Sequence, residues 1–271
     1  MRFGLDCERS MRKARMNSLE QGLVMIKIAC NPGVNPIVAN YELRCSELSD
    51  INQHLPTLYC YAKQCEFIAE FGVRGIVSTW AFLRGLLENN SQTRQIFCVD
   101  IEDIPEMQTV RKIAADNGIT LTFQRNDSAT CSIPPVDLLF IDTWHIYGHL
   151  KRELNNHHGR VRKYIVMHDT ESDGLVGESV RNKWDIKEQA RNSGYSEEEI
   201  SGGLQRAIWE FLAQHPEWKL LRRYLHSNGL IILARSDNVK ITALDRIIAT
   251  VQNSGIYRAS RQALRRMAGR A

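Results

Sequence analysis

The middle of the chain alternates between short, continuous apolar segments and longer segments whose apolar residues recur at helical spacing. Continuous apolar strands separated by amphipathic helices are typical of a parallel sheet that is covered on both faces. The pattern predicts strands at 67–73, 95–100, 120–124, 136–142 and 164–168, and helices at 78–88, 104–117 and 147–155. We therefore predict an α/β fold with a Rossmann-like, doubly wound sheet.

The pattern changes towards the end of this region. After a helix predicted at 204–214, two apolar segments at 218–224 and 229–235 are separated only by a short turn, His226–Ser227–Asn228. Two strands joined that closely pair antiparallel, because a parallel pair needs a long crossover. The sheet is therefore expected to be mostly parallel and to end in a reversed hairpin.

The flanking segments lack this regular alternation. We expect one domain at 45–236, with an N-terminal extension at 1–44 and a basic helical tail at 237–271. A polar stretch at 170–203 has the composition of a flap over a site, and an ordinary surface excursion fits it almost as well. A short apolar run at 22–30 predicts either a strand or a docking segment.

Composition indicates a folded protein of the cell interior. Hydrophobic residues make up 43% of the 271 positions and charged residues 24%, which disfavours disorder. The seven cysteines are odd in number and lack zinc-type spacing, as expected for reduced thiols. No run is long enough to span a bilayer, and the N-terminus lacks the apolar region of a signal peptide. We expect a cytoplasmic protein, and the sequence leaves a homo-oligomer open.

Positive charge is concentrated at the C-terminus. The formal net charge is only +4, yet 258–271 contains five arginines and no acid. Such a tail can contact nucleic acid or another acidic partner, although a solvated helix end is more common.

Glycine and hydroxyl residues follow the first predicted strand. Glycine brings a bare backbone close to a ligand, and a helix N-terminus adds donors. The pattern predicts a nucleoside cradle whose members are Glu70, Gly72, Val73, Gly75, Ser78 and Thr79. An ordinary turn that uses glycine only for its backbone geometry is about equally compatible with this stretch.

Acidic residues end the next two strands. In an open α/β sheet, ligands bind at the carboxyl ends of the strands. Asp100 and Glu102 follow the second strand, where a carboxylate can accept both hydroxyls of a ribose. Asp127, between Asn126 and Ser128, follows the third strand and is placed to reach an adenine.

A third set of polar residues ends the fourth and fifth strands. Asp142 ends the fourth strand, and His168 and Asp169 end the fifth. If they converge, two carboxylates and an imidazole form an open site for a hard cation. His145 is a candidate general base beside Asp142, because an imidazole titrates near working pH. Helix capping and surface exposure explain the same residues about as well.

These motifs resemble those of class I S-adenosylmethionine-dependent methyltransferases from about residue 59 to 235. EFGVRGIVST is similar to the family's first motif, without its full E/DxGxGxG pattern. FIDTWHIYGHL and VMHDT are similar to the cephalosporin-hydroxylase-like and small-molecule O-methyltransferase branches. The resemblance implies S-adenosyl-L-methionine as cofactor, with Asp100 at its ribose and Asp127 near its adenine.

The same resemblance implies a metal site. It makes Asp142, His168 and Asp169 the ligands of Mg²⁺ or another divalent cation, although a histidine replaces a carboxylate at 168. It places His145 where those enzymes carry a basic lysine. The implied reaction is O-methylation of a hydroxyl on a small molecule or glycan, with Asp142 and His145 as the catalytic residues.

Two other functions stay open at this point. A nicotinamide-dependent oxidoreductase on a Rossmann sheet would need GxGxxG after the first strand, and the chain provides only Gly72 and Gly75. A non-catalytic protein of the same fold would bind nucleic acid or another acidic partner through residues 256–271.

Overall fold

The computed structural model describes residues 33–254. Its strands are β1 (Phe67–Phe71), β2 (Gln95–Asp100), β3 (Thr120–Arg125), β4 (Val136–Ile141), β5 (Val161–His168), β6 (Trp218–Tyr224) and β7 (Leu230–Arg235). Its α-helices are α1 (Pro36–Ser46), α2 (Leu55–Ala62), α3 (Ser78–Leu87), α4 (Met107–Asp116), α5 (Tyr147–His157), α6 (Glu178–Arg181), α7 (Ile186–Ser193), α8 (Glu197–Ser201), α9 (Leu204–Gln214) and α10 (Ala243–Asn253). Short 3₁₀ segments lie at Asn52–His54 and His158–Arg160.

All seven strands form one sheet in the order β3-β2-β1-β4-β5-β7-β6. Strands β1 to β5 pair parallel, whereas β7 pairs antiparallel with both β5 and β6. The prediction of a mostly parallel sheet with a reversed terminal hairpin is therefore confirmed. The strand order reverses beside β1, which places a crevice between the carboxyl ends of β1 and β4.

Helices cover both faces of the sheet. On one face, Ile68 of β1 belongs to a core shared with Trp80 of α3. On the other, Phe71 of β1 belongs to a core shared with Leu154 of α5 and Ile208 of α9. Every residue of β4 is buried, as expected for a central parallel strand that is apolar throughout.

Several element boundaries differ from the sequence prediction. Strand β1 ends at Phe71, two residues early, because Gly72 has a φ of +83° and turns the chain. Strand β5 begins at Val161, three residues before the predicted start. The helix expected from residue 104 begins at Met107.

The predicted domain division stays a prediction. Helix α1 crosses the proposed boundary at residue 44 and packs against α3, and α10 lies against β6. The segment 170–203 contains α6, α7 and α8, and Val176 bridges to Gly202 across it. The run at 22–30 and the arginines at 258–270 lie outside the described residues. Between residues 33 and 254, no helix is long and apolar enough to cross a membrane.

Candidate active site at the carboxyl ends of the strands

Gly72 places the loop after β1 directly against the loop after β4. A Cβ built on Gly72 would lie 1.8 Å from the carbonyl oxygen of Asp142. The backbone is fixed on both sides: Gly72 N donates to Val99 O at 3.0 Å, and Asp142 N donates to Phe71 O at 2.9 Å. Only glycine fits here, because its φ is also positive, at +83°. We call residues 72–77 the glycine loop.

Glu70 lies beneath the glycine loop and is fully buried. Ser78 Oγ donates to its Oε1 at 2.5 Å, and Thr79 Oγ1 donates to its Oε2 at 2.9 Å. Burial raises the pKa of the Glu70 carboxyl to about 7. These three predicted cofactor residues therefore contact one another, and in this arrangement they support the loop from below.

Asp100 clamps the glycine loop to β2. Its Oδ2 accepts a hydrogen bond from Val73 N at 2.8 Å, and its Oδ1 accepts one from Glu102 N at 3.0 Å. Asp127 similarly fixes its own turn, since its Oδ1 accepts from Ala129 N at 2.8 Å. Both carboxylates lie at the strand ends where the sequence places them, and their contacts with ribose and adenine stay predictions.

A cleft of about 410 Å³ opens beside the glycine loop. Residues from the end of α1 form one wall and the loop forms the other. The lining residues are Arg44, Glu47, Leu48, Ser49, Arg74, Gly75 and Val77. The half-buried backbone of Gly75 is thus adjacent to open space.

One imidazole lies among four carboxylates after β4 and β5. His145 Nε2 is 3.1 Å from Asp142 Oδ1 and 3.3 Å from Asp169 Oδ2. His145 Nδ1 is 3.1 Å from Glu178 Oε2 and 3.8 Å from Asp173 Oδ2. We call these five residues the His145 cluster. Its Asp142 adjoins Gly72, so the cluster and the glycine loop form one continuous site.

The chain has distant structural neighbours that are O-methyltransferases. No protein-family model matches the chain, and no curated protein is significantly similar to it. Among solved structures, an O-methyltransferase from Bacillus cereus in complex with SAH aligns over 82% of this chain and 97% of that chain, with 14% identity and a TM-score of 0.47. The O-methyltransferase TomG from Streptomyces achromogenes, in complex with SAM, aligns over 82% and 94%, with 11% identity and a TM-score of 0.46.

The structure shows an α/β fold with a mostly parallel, seven-stranded sheet that ends in a reversed hairpin. The chemistry of this chain has to come from its own side chains, because such distant likeness concerns the fold alone.

The close packing of charged groups around His145 shifts their pKa values. Burial opposes charge on His145, yet hydrogen bonds to Asp142 and Glu178 raise its pKa well above the ordinary value. Burial likewise opposes charge on His168, but the charge of Asp142 raises its pKa to about 10. Conversely, these two imidazoles hold the pKa of Asp142 below its usual range despite burial. The two histidines are therefore the counter-ions of the buried carboxylates.

His168 lies beside both carboxylates with which the sequence groups it. Its Nδ1 lies 3.4 Å from Asp142 Oδ1 and 3.4 Å from Asp169 Oδ2, and its Nε2 lies 3.0 Å from the carbonyl oxygen of Ser227, in the β6–β7 turn. Among the described residues, ligand atoms also converge here to within 4.8 Å in two sets, Asp142 with His145 and Asp169, and His145 with Asp173 and Glu178. The metal-ligand roles of Asp142, His168 and Asp169 stay predictions.

Two acidic members of the cluster were absent from the sequence prediction. Asp173 and Glu178 come from the polar segment 170–203, which the sequence treats only as a flap or a surface excursion. The Asp173 carboxylate is fully buried and accepts from Arg181 Nε at 2.6 Å and from Arg181 Nη2 at 3.1 Å. One feature of the sequence could have indicated these two residues: both follow VMHDT, the segment that ends a central strand.

A second hydrogen-bonded group, also unpredicted, lies beneath the loop after β4. Glu153 of α5 accepts from Ser128 Oγ at 2.6 Å and from Thr143 Oγ1 at 2.9 Å. His149, one turn earlier on α5, lies 3.4 Å from the same carboxylate oxygen. This group ties the loops after β3 and β4 to α5 and so supports the floor of the site.

Proposed function

We propose that this protein transfers a methyl group from S-adenosylmethionine to a hydroxyl of a small molecule or glycan, with assistance from a divalent cation. One observation supports this most strongly: the glycine loop packs directly on the residue that begins the His145 cluster, since Gly72 contacts the Asp142 backbone. A place for a nucleoside cofactor and a place for proton transfer are therefore adjacent at the switch point of the sheet.

In the proposed reaction, the protein has to align the acceptor oxygen with the methyl carbon and to remove the hydroxyl proton. The acceptor oxygen attacks the methyl carbon in line with the sulfonium, so that a C–O bond forms while the C–S bond breaks. The sulfur leaves as a neutral thioether, and the hydroxyl proton passes to a base. The site must therefore hold the acceptor between the cofactor and the His145 cluster.

Asp142, Asp169 and His168 fit a divalent cation. His168 Nδ1 lies 3.4 Å from a carboxylate oxygen of each aspartate, so these three residues would hold the cation and His145 is kept for the proton. Carboxylate oxygens suit Mg²⁺ or Mn²⁺, and the imidazole also admits other transition metals. Such a cation, when bound, supplies positive charge that lowers the pKa of an acceptor hydroxyl.

We assign proton acceptance to His145 in its neutral form. Glu178 and Asp173 face its Nδ1, so they orient the ring and stabilise the imidazolium once the proton has arrived. In the protein alone, the surrounding carboxylates raise the His145 pKa and retain a proton on the ring. Positive charge brought by the sulfonium opposes this shift and favours the neutral ring.

Cofactor binding is assigned to the other half of the site. Backbone groups of the glycine loop face the methionine end, Asp100 the ribose and Asp127 the adenine. Glu70, Ser78 and Thr79 act by holding the loop, because their side chains are buried against each other.

The decisive experiment replaces Asp142 by Asn. We expect binding of S-adenosylhomocysteine by calorimetry within about threefold of wild type, and methyl transfer reduced at least about 100-fold. Transfer is measured with labelled S-adenosylmethionine on a panel of catechols, hydroxylated aromatics and sugars. Asp237→Asn is the matched control, because Asp237 is exposed and distant from the site in sequence. Undiminished, chelator-insensitive turnover in the Asp142 variant would contradict the assignment.

Cofactor class is tested separately by titrating the wild-type chain with S-adenosylhomocysteine and with NADH. Preference for NADH would favour an oxidoreductase. Steeply salt-dependent binding to nucleic acid that disappears when residues 256–271 are removed would favour a binding protein instead.

A further inference from the structure

A second cluster of metal-binding residue types lies at the opposite edge of the sheet from the candidate active site. His158 is in the 3₁₀ segment that follows α5, His215 directly follows α9, and Glu217 immediately precedes β6. One potential ligand atom from each residue lies within 4.8 Å of the other two. Three segments that are separate in the chain therefore bring their donors to one point.

The side chains meet closely. The rings of His158 and His215 have centroids 4.1 Å apart, and His215 Nδ1 lies 3.4 Å from Glu217 Oε1. His158 Nδ1 is buried and has no hydrogen-bond partner among the described residues. A buried polar atom without a partner carries a desolvation cost, so the cluster lacks one favourable contact that a ligand could provide.

The surrounding structure holds these side chains in place. Phe211 packs against both rings, with centroids 5.5 Å from His158 and 4.5 Å from His215. The backbone is fixed by His215 N donating to Phe211 O at 2.9 Å and by Trp218 N donating to His215 O at 3.0 Å. A donor set that is positioned before the ion arrives loses less conformational freedom on binding.

We propose that His158, His215 and Glu217 form a zinc site. Two imidazole nitrogens and one carboxylate oxygen are a donor set that Zn²⁺ accepts, with water in the fourth tetrahedral position. Mg²⁺ and Ca²⁺ prefer all-oxygen sites and are poorly matched to two imidazoles. An aromatic wall on one side limits access of water to the ion.

The position of this zinc site separates it from the proposed methyl-transfer reaction. It lies at the amino ends of β5 and β6, whereas the His145 cluster lies beyond the carboxyl end of β5. The eight residues of β5 separate the two by about 25 Å. Zinc would join the end of α5 to the connection between α9 and β6, and would stabilise that edge of the domain without entering the methyl-transfer reaction.

The test is calorimetric titration of the tag-free, chelator-treated full-length chain with Zn²⁺ alone. We expect one bound equivalent that is lost, or weakened at least about tenfold, in His158→Asn and in His215→Asn. Glu217→Gln should weaken binding, and Glu66→Gln, which changes an exposed glutamate, should not. Circular dichroism establishes that each variant is folded.

The His145 cluster could also take zinc, so Asp142→Asn is included to separate the two sites. If the proposed zinc site exists, Asp142→Asn should still bind the equivalent of Zn²⁺ that His215→Asn no longer binds. Co²⁺ gives an independent readout, since its visible absorption reports coordination by imidazole. Unchanged stoichiometry and affinity in both histidine variants, or no binding by the Asp142 variant, would overturn the proposal.

Discussion

The two halves of the candidate active site neutralise their carboxylates in different ways. Beside the glycine loop, Asp100 accepts hydrogen bonds from backbone N–H groups, including that of Val73. In the His145 cluster, Asp142 and Asp169 instead face an imidazole ring. Backbone dipoles are part of the fold and are always present, whereas imidazoles carry charge only while they are protonated.

The glycine-loop half of the site should therefore be formed at all times, whereas the His145 cluster should respond to bound ions. Under the proposed function, the glycine loop is ready for the cofactor before binding. The His145 cluster holds four carboxylates in a small volume, so added positive charge should stabilise it. Substitutions in the first half should therefore act mainly on folding and cofactor affinity, and substitutions in the second on metal response and turnover.

The largest expected effect is at Gly72, where the two halves touch. In Gly72→Ala the new methyl group would overlap the Asp142 carbonyl oxygen, and the residue would keep a positive φ. We expect the free energy of unfolding to fall by more than about 3 kcal/mol, as measured by urea denaturation.

Gly194→Ala is the matched control for the Gly72 variant. Gly194 also has a positive φ, of +72°, but no heavy atom lies within 4 Å of its added Cβ. We expect Gly194→Ala to lower the free energy of unfolding by only about 1 kcal/mol, because the positive φ is unfavourable for alanine but no steric overlap is added. Equal losses in the two variants would show that the close contact between the loops is not important.

Glu70 supplies a pH-dependent comparison within the glycine-loop half. Its pKa is raised from 4.5 to about 7, mainly by burial, so the folded protein keeps a proton that the unfolded chain has lost. The free energy of unfolding should therefore fall as pH rises from about 4.5 to about 7, by about 3 kcal/mol from this group.

The measurement is urea denaturation of wild type and Glu70→Gln at several pH values between 4 and 8. The difference between the two curves should shrink to nothing at the acidic end and favour the variant at the alkaline end. Glu66→Gln changes an exposed glutamate directly before β1, and its free energy of unfolding should follow that of wild type at every pH. Parallel curves for wild type and Glu70→Gln would mean that Glu70 ionises normally.

The sequence locates the strand ends of the glycine-loop half to within about two residues, and the cofactor roles of its residues stay predictions. Strand ends are visible from apolar runs, and the carboxyl ends of parallel strands share one edge, so Gly72, Asp100 and Asp127 could be placed by topology alone. The sequence could not show which way the Glu70 side chain points. It points into the protein towards Ser78, and this orientation depends on how α3 packs on the sheet.

The His145 cluster is less predictable because it depends on contacts between distant segments. Asp142, His168 and Asp169 were found from strand ends, and the structure brings the three together. The sequence could not show that Ser227, in a turn 59 residues further along the chain, also contacts the His168 ring. Glu178 reaches His145 from a segment with no regular pattern, so no local signal connects the two.

The response to ions distinguishes the two halves most directly. At a concentration about 100 times its Kd, a bound cation adds about 2.7 kcal/mol of stability, which is about 5–10 °C in Tm for a protein of this size. We expect Mn²⁺ to raise the Tm of wild type by this amount in differential scanning calorimetry, and to leave Asp169→Asn unchanged.

His158→Asn is the control for that measurement, because it alters the proposed zinc site and leaves the His145 cluster intact. It should retain the Mn²⁺ response. If the Tm shift survives in Asp169→Asn and disappears in His158→Asn, Mn²⁺ binds at the proposed zinc site and not at the His145 cluster. That result would contradict the proposed role of a cation in methyl transfer.

The smallest expected effect is at Asp100, in the half that relies on backbone dipoles. In Asp100→Asn the amide oxygen can still accept from Val73 N, whereas the amide NH2 group loses the hydrogen bond from Glu102 N. The glycine loop should therefore stay attached to β2 while the negative charge is lost. We expect the Kd for S-adenosylhomocysteine to rise about fivefold, or about 1 kcal/mol, because one charge-assisted contact to the ribose becomes neutral. Asp103→Asn, at an exposed position three residues on, should bind as wild type does. If the Asp100 variant also binds unchanged, Asp100 serves only to clamp the loop, and the ribose contact belongs to another residue.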